Sequence, residues 1–289
     1  GGACLNQIPM DWDHNLKNIK DVFQEAQKNN IELLCLPELC ITGYGCEDMF
    51  LSTWLCETAQ AKLIELLPFT SGLTTSLGLP VRFEGQIYNC IAIIEDKKIL
   101  GVYAKHNLAN NGIHYEKRWF SSWPYHKIET LNITGQSVQI GAISIEIKNI
   151  KIGFEICEDA WQEDRPANHL ATQGIELILN PSASHFAFEK EKYREQLVVS
   201  SSKKFNCTYL YTNLLGNEAG RMIYDGDILI AQNGNLIGHN TRFSFKPFNI
   251  LYCEVDFDSQ TSSINIKKDY TNKLEEMSQA LPLALFDYL

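Results

Sequence analysis

Cys157-Glu158-Asp159-Ala160-Trp161 sets a thiol and two carboxylates where an apolar stretch runs out. The residues before it, Ile150-Lys151-Ile152-Gly153-Phe154-Glu155-Ile156, alternate with the period of a strand. A thiol at the carboxyl end of a strand in an α/β pattern stands where such folds place their chemistry. It attacks only as thiolate, so it needs cationic or dipolar support and a base. No histidine-based dyad is visible around Cys157, so the helpers must come from elsewhere. Two other strand ends offer them. Ile31-Glu32-Leu33-Leu34-Cys35-Leu36 stops at Pro37-Glu38, and Ile99-Leu100-Gly101-Val102-Tyr103-Ala104 stops at Lys105. A carboxylate, an ammonium and a thiol at three strand ends can converge on one edge of a sheet. Taken singly, each has a plainer reading: Cys157 as a core thiol, Glu38 as a turn cap, Lys105 as an exposed strand-end charge.

The elements that must position them follow from periodicity. A strand over 2–6 leads to a helix over 13–28, with Leu16, Ile19, Val22, Phe23 and Ala26 on one face and Asp13 as its N-cap. A second helix spans 52–66, and a strand 74–78. Segments 86–94 and 98–105 read as a hairpin around Asp96-Lys97. Residues 106–127 form a long aromatic and polar loop, a length that in an α/β domain marks function. In the second half, 138–147 and 151–156 are expected to pair as a hairpin leading to Cys157. A helix over 165–173 precedes a strand over 176–180, and a helix over 189–205 precedes a strand over 208–211. Segments 227–231 and 236–238 join through Asn233-Gly234, a strong two-residue turn signal, and a last strand covers 249–255. Two such halves imply two packed sheets with helices outside.

Composition narrows the class. The 289 residues are 45% hydrophobic, enough for one large domain with a substantial core. Net charge is −10 and no basic cluster occurs, which argues against nucleic acid and against an anionic membrane surface as partner. No apolar run approaches the roughly 20 residues of a membrane span. The nine cysteines are odd in number and contain no C-x-x-C pair, so free thiols in a reducing cytoplasm are expected. Cys35, Cys40, Cys46 and Cys56 lack the paired spacing of zinc ligands, and no metal is expected. Gly1-Gly2-Ala3-Cys4-Leu5 begins as if inside a strand, so the amino-terminal address is not read.

Five motifs follow one another in register. They are Leu36-Pro37-Glu38-Leu39 with Thr42-Gly43-Tyr44; Lys105 with Tyr115-Glu116-Lys117-Arg118-Trp119-Phe120; Glu155-Ile156-Cys157-Glu158-Asp159; Asn180-Pro181-Ser182; and Tyr224-Asp225-Gly226. In these the chain resembles the nitrilase (carbon–nitrogen hydrolase) superfamily over residues 2 to 289. The wording is nearest to one branch, the glutaminase domains of glutamine-dependent NAD synthetases. The resemblance implies a four-layer α-β-β-α sandwich of the α/β class and a Glu-Lys-Cys triad. Cys157 would attack a carboxamide carbon, with Glu38 as general base and acid. Lys105 and the backbone N–H of Glu158 would hold the oxyanion, and Glu116 would orient Lys105. Ser184 and Lys190 stand where the family binds the α-amino and α-carboxylate ends of glutamine, helped by Glu158. Lys190 replaces the arginine of many members, and Asn111 and His114 replace aromatic residues. His114 and His185 are pocket lining at most in this reading, and Gly216 and Gly220 flank a turn without forming a phosphate loop.

The implied reaction is L-glutamine to L-glutamate and ammonia, the ammonia amidating deamido-NAD. That step needs no cofactor, whereas ATP and Mg²⁺ belong to a C-terminal synthetase domain in the same chain. Residues 1–260 would be the glutaminase domain and 261–289 the linker and start of the synthetase domain, whose Ser-Gly-Gly-x-Asp-Ser loop occurs nowhere here. A homo-oligomer, at least a symmetric dimer, is expected. The alternatives are a stand-alone amidase acting on another small carboxamide and a catalytically quiet binding domain.

Overall fold

The central strands are apolar on both faces, and each face meets a different partner. In Gln86–Glu95, Cys90, Ala92 and Ile94 pack toward two helices, while Ile91 and Ile93 point at a facing sheet. In Thr208–Asn213, Leu210 faces the same interior and Tyr209 and Tyr211 face outward to another helical layer. Continuous apolar runs therefore mark strands buried on both sides. The computed structural model describes residues 1–289 except 134, 219–220, 258–265 and 268–269.

The first sheet has eight strands in the order Phe248–Leu251, Gly2–Leu5, Leu33–Cys35, Thr74–Phe83, Gln86–Glu95, Lys98–Ala104, Gln136–Gly141 and Ile128–Ile133. The second has six: Asn235–His239, Ile228–Gln232, Thr208–Asn213, Leu177–Ser182, Ile150–Phe154 and Ile145–Ile147. Each strand that leads into a candidate residue has at least one parallel neighbour: Leu33–Cys35 pairs with Gly2–Leu5 and Thr74–Phe83, Lys98–Ala104 with Gln136–Gly141, and Ile150–Phe154 with Leu177–Ser182. Helices Trp12–Lys28 and Thr53–Leu66 cover the outside of the first sheet. Pro166–Ala171 and Lys190–Lys204 cover the second. The result is the expected α-β-β-α sandwich, with a small ribbon, Leu215–Glu218 paired to Met222–Asp225, at its side.

Several local expectations change. The first helix is capped by Asp11, whose Oδ1 accepts the His14 N–H at 3.1 Å, not by Asp13. Asp13 lies in the first turn, where its charge suits the helix dipole. The strand expected over 74–78 continues to Phe83 and turns back at Glu84-Gly85, both at positive φ (48° and 80°). The segment 138–147 is not one strand of a hairpin. Gln136–Gly141 joins the first sheet, parallel to Lys98–Ala104, and Ile145–Ile147 joins the second. The break falls at Gly141 (φ 133°), where a Cβ would lie 2.2 Å from the Lys127 carbonyl oxygen. Asn233-Gly234 and Asp96-Lys97 do close their hairpins, all four residues at positive φ.

The expected boundary near residue 260 and Gly220 lie outside the described residues. Beyond them Lys273–Tyr288 is a helix with Asn272 as N-cap, accepting the Leu274 and Glu275 N–H groups at 3.0 and 3.1 Å. Its apolar face is not wholly unpartnered. Ala280 and Leu283 are buried, and Asp287 accepts from Asn6 Nδ2 at 2.9 Å and from the Asn217 N–H at 2.7 Å. Leu274, Leu281 and Leu285 of the same helix are exposed.

Candidate active site

Glu38 follows the short strand Leu33–Cys35, and its backbone lies directly on the next strand. A Cβ at Gly78 would come within 2.2 Å of Leu39 N and 2.6 Å of Pro37 O, so only glycine lets the Pro37–Leu39 turn close. Gly78→Ala is therefore expected to displace Glu38. About 1–3 kcal/mol of stability should be lost to overpacking, and, on the expectation that Glu38 serves as the base, an ångström of displacement should cost up to ~100-fold in kcat. Steady-state kinetics and thermal unfolding check it; wild-type kcat in this variant would refute the account.

Lys105 comes immediately after Lys98–Ala104 and is held in the ladder by its N–H to Asn89 O at 2.9 Å, while its carbonyl accepts from Trp123 N at 3.0 Å. Its Nζ donates to Glu38 Oε1 at 2.6 Å and to Glu116 Oε1 at 2.8 Å. Glu116, which in sequence looks like a loop charge, is fully buried. It accepts from Tyr44 Oη at 2.8 Å and from the Ala109 N–H at 3.0 Å. Glu38 accepts in addition from Asn89 Nδ2 at 2.7 Å and from the Ala183 N–H at 2.9 Å.

Cys157 begins the short helical turn Cys157–Trp161 with φ at 44°, a left-handed conformation uncommon for a side-chain-bearing residue and typical of strained functional turns. Two buried carboxylates hold that bend. Asp159 accepts the Ile156 N–H at 3.0 Å and, across from the other sheet, the His106 and Asn107 N–H groups at 3.1 and 2.7 Å. It thereby ties the Cys157 turn to the residues after Lys105. Glu155 is clamped by Arg165 Nε (2.9 Å), Tyr209 Oη (2.7 Å) and the Ala167 N–H (2.8 Å).

The electrostatics suit a proton transfer. Burial pushes the Cys157 thiol up to about 12, the Glu38 carboxylate adding to the shift and Lys105 opposing it. Burial likewise raises Glu38 against the pull of Lys105. For Lys105 burial disfavours the charge, yet Glu116 and Glu38 outweigh it and hold the ammonium well above a lysine's ordinary value. Burial thus favours the neutral thiol and raises the proton affinity of the neighbouring Glu38, next to an ammonium held charged by two carboxylates.

The flanking residues gather on the same side. The Ser184 N–H donates to Asn213 Oδ1 at 2.8 Å, and its carbonyl accepts from Asn213 Nδ2 at 2.8 Å and Arg194 at 2.9 Å. Arg194 is itself held by Asp225 at 2.5 Å. Lys190, the first residue of its helix, is lowered to about 8 by burial and by Arg194, with Asp225 and Glu158 pulling the other way. Glu158 is raised by burial and pairs with Gln162. His114 and His185 do more than line the site: His114 Nε2 and His185 Nδ1 are hydrogen-bonded at 2.8 Å.

A family model, carbon-nitrogen hydrolase, matches residues 3–264. The chain belongs to the carbon–nitrogen hydrolase family. Among relatives of this carbon–nitrogen hydrolase, the glutamine-dependent NAD(+) synthetase of Oryza sativa subsp. indica is 33% identical over 269 residues, 89% of this chain and 37% of its own length. The crystal structure of a glutamine-dependent NAD(+) synthetase from Cytophaga hutchinsonii matches with a TM-score of 0.90 and 46% identity, covering 99% of this chain and 46% of that one. A structure of the Acinetobacter baumannii glutamine-dependent NAD+ synthetase in complex with adenosine diphosphate matches with a TM-score of 0.82 and 26% identity, covering 99% of this chain and 51% of that one. The chain thus spans between about a third and a half of the length of these relatives.

Within this carbon–nitrogen hydrolase, Asn89, Asp159 and the Arg194–Asp225 pair are site residues to which the sequence reading gave no role. Asn89 carried a signal, a polar residue inside the apolar strand Ile87-Tyr88-Asn89-Cys90-Ile91. Arg194 carried none, since its partner lies 31 residues away.

Proposed function

We propose that this carbon–nitrogen hydrolase hydrolyses L-glutamine to L-glutamate and ammonia, as the glutaminase part of a glutamine-dependent NAD synthetase. The observation that carries the reading is Lys105 held between the buried carboxylates of Glu38 and Glu116 beside the Cys157 turn. In the first half-reaction Glu38 takes the thiol proton as sulfur attacks the carboxamide carbon. The oxyanion is stabilised by Lys105 and the Glu158 N–H, and collapse expels ammonia, protonated by Glu38. In the second, Glu38 deprotonates water, which attacks the thioester and releases glutamate and the thiol. Ser184, Lys190 and Glu158 take the α-amino and α-carboxylate ends.

No cofactor is assigned to this step. ATP and Mg²⁺ belong, in this reading, to the synthetase portion that the longer relatives carry, which would use the ammonia to amidate deamido-NAD. A cytoplasmic location is supported by nine unpaired thiols; no described helix is long and apolar enough to cross a membrane. A symmetric homodimer is part of the same reading, and a strictly monomeric mass by light scattering would refute that part.

The test is ammonia release across a panel of amides. L-Glutamine is expected to give the highest kcat/KM. Preference for a neutral aliphatic amide would instead establish a stand-alone amidase, and no turnover of any amide a quiet binding domain.

A further inference from the structure

We propose that His114 and His185 form a positioning clasp that fixes the Lys190 ammonium relative to the catalytic carboxylates, and so selects amides that bear a carboxylate. The proposal rests on the glutaminase reading and deepens it.

Proton counting defines the clasp. Tyr44 has one hydroxyl proton, and it goes to Glu116 Oε1 at 2.8 Å. The Tyr44 oxygen must then accept from His114, whose Nδ1 lies 3.0 Å away, so His114 carries its proton on Nδ1. His114 Nε2 is therefore a lone pair, and the 2.8 Å contact to His185 Nδ1 requires the proton on the latter. His185 Nδ1 is consequently no acceptor for Lys190, whose Nζ donates instead to the His185 carbonyl at 3.1 Å. Hydrogen bonds run from Glu116, which holds Lys105, through Tyr44 and His114 to the His185 ring, and the backbone carbonyl of that same His185 receives Lys190, whose Nζ lies 3.4 Å from the ring Nδ1.

This proton order needs His114 to be singly protonated, because a second proton on its Nε2 would face the N–H at His185 Nδ1. Burial supplies that condition, lowering His114 to about 4 and His185 to about 3, with Lys190 adding to both shifts. The clasp also bridges the halves of the site. His114 comes from the long loop after Lys105 and His185 from the loop after Leu177–Ser182, two segments on different sheets. A lysine is a point charge on a flexible stem, and it discriminates between substrates only when its head is held. Lys190 is tethered to the backbone of His185, and the imidazole pair acts on its ammonium by fixing where residue 185 sits.

The experiment uses the full-length protein with His114→Phe, which keeps a ring against Tyr44 but removes both nitrogens, and His114→Gln, which restores a donor and an acceptor. For L-glutamine, His114→Phe is expected to raise KM about tenfold, the worth of one well-placed hydrogen bond, with kcat little changed. The rate at which chloroacetamide, a small electrophile without a carboxylate, alkylates Cys157 is expected to stay at the wild-type value. His114→Gln should recover most of the lost KM. The proposal is overturned if KM for glutamine is unchanged in His114→Phe, if chloroacetamide alkylation falls in proportion, or if the glutamine variant is no better than the phenylalanine one. Wild-type protein that alkylates normally but releases no ammonia from glutamine would overturn the glutaminase reading itself, and with it the clasp's role.

Discussion

Cys157→Ala is expected to abolish ammonia release while the protein still folds. The residue is buried, and the change removes a single sulfur atom at a position whose left-handed backbone is as demanding for alanine as for cysteine. Asp159 and Glu155 hold the turn through backbone and side-chain groups that the substitution leaves untouched. The thermal transition should therefore shift by only a few degrees, about 1 kcal/mol of lost packing. Activity has no such fallback, since no other group can form the acyl intermediate, and the loss should be at least ~10⁴-fold in kcat. A diazoketone analogue of glutamine should label Cys157 alone among nine cysteines. Residual activity near wild type, or labelling spread over several thiols, would remove Cys157 from the mechanism.

Glu38→Gln should lower kcat at least ~100-fold, as expected for loss of a group that acts as both base and acid. The amide is nearly isosteric, so the effect reads the missing proton acceptor more than a packing change. The pH dependence adds a second reading. Glu38 works as base only when ionised, and burial raises its pKa. Activity is then fully present above that raised value and is lost as pH falls through it, so the acid limb of kcat/KM lies above the ordinary carboxylate range. In Glu38→Gln that limb should vanish from whatever rate survives. An acid limb of unchanged position in the variant would assign it to another group.

The three strand-end residues were legible because strands buried on both faces write themselves as apolar runs, and Glu38, Lys105 and Cys157 each interrupt one. Glu116 was legible only through its motif. In a polar loop nothing local distinguishes a carboxylate buried against Lys105 from one in water. Asn89 and Asp159 act on partners 51 and 53 residues away, so their roles exist only once the sheets are assembled. The split of 138–147 between two sheets has the same origin. The Lys127 carbonyl that leaves room only for glycine at position 141, where the strand ends, is invisible to a periodicity of two. Capping at Asp11 instead of Asp13 is a smaller miss, two acidic residues competing for one terminus.

The hydrogen bond from the Ala183 N–H to Glu38 spans 145 positions of sequence and joins the two sheets at the proposed base. A bond of that span forms only after much of the chain has closed on itself, and such distant pairings make folding slow. Regain of enzymatic function after dilution from denaturant should therefore trail regain of circular dichroism. During synthesis, the sulfur nucleophile has no completed proton acceptor until the strand ending at Ser182 has been made and docked. The proposed chemistry thus depends on a contact between the sheets and not on either sheet alone.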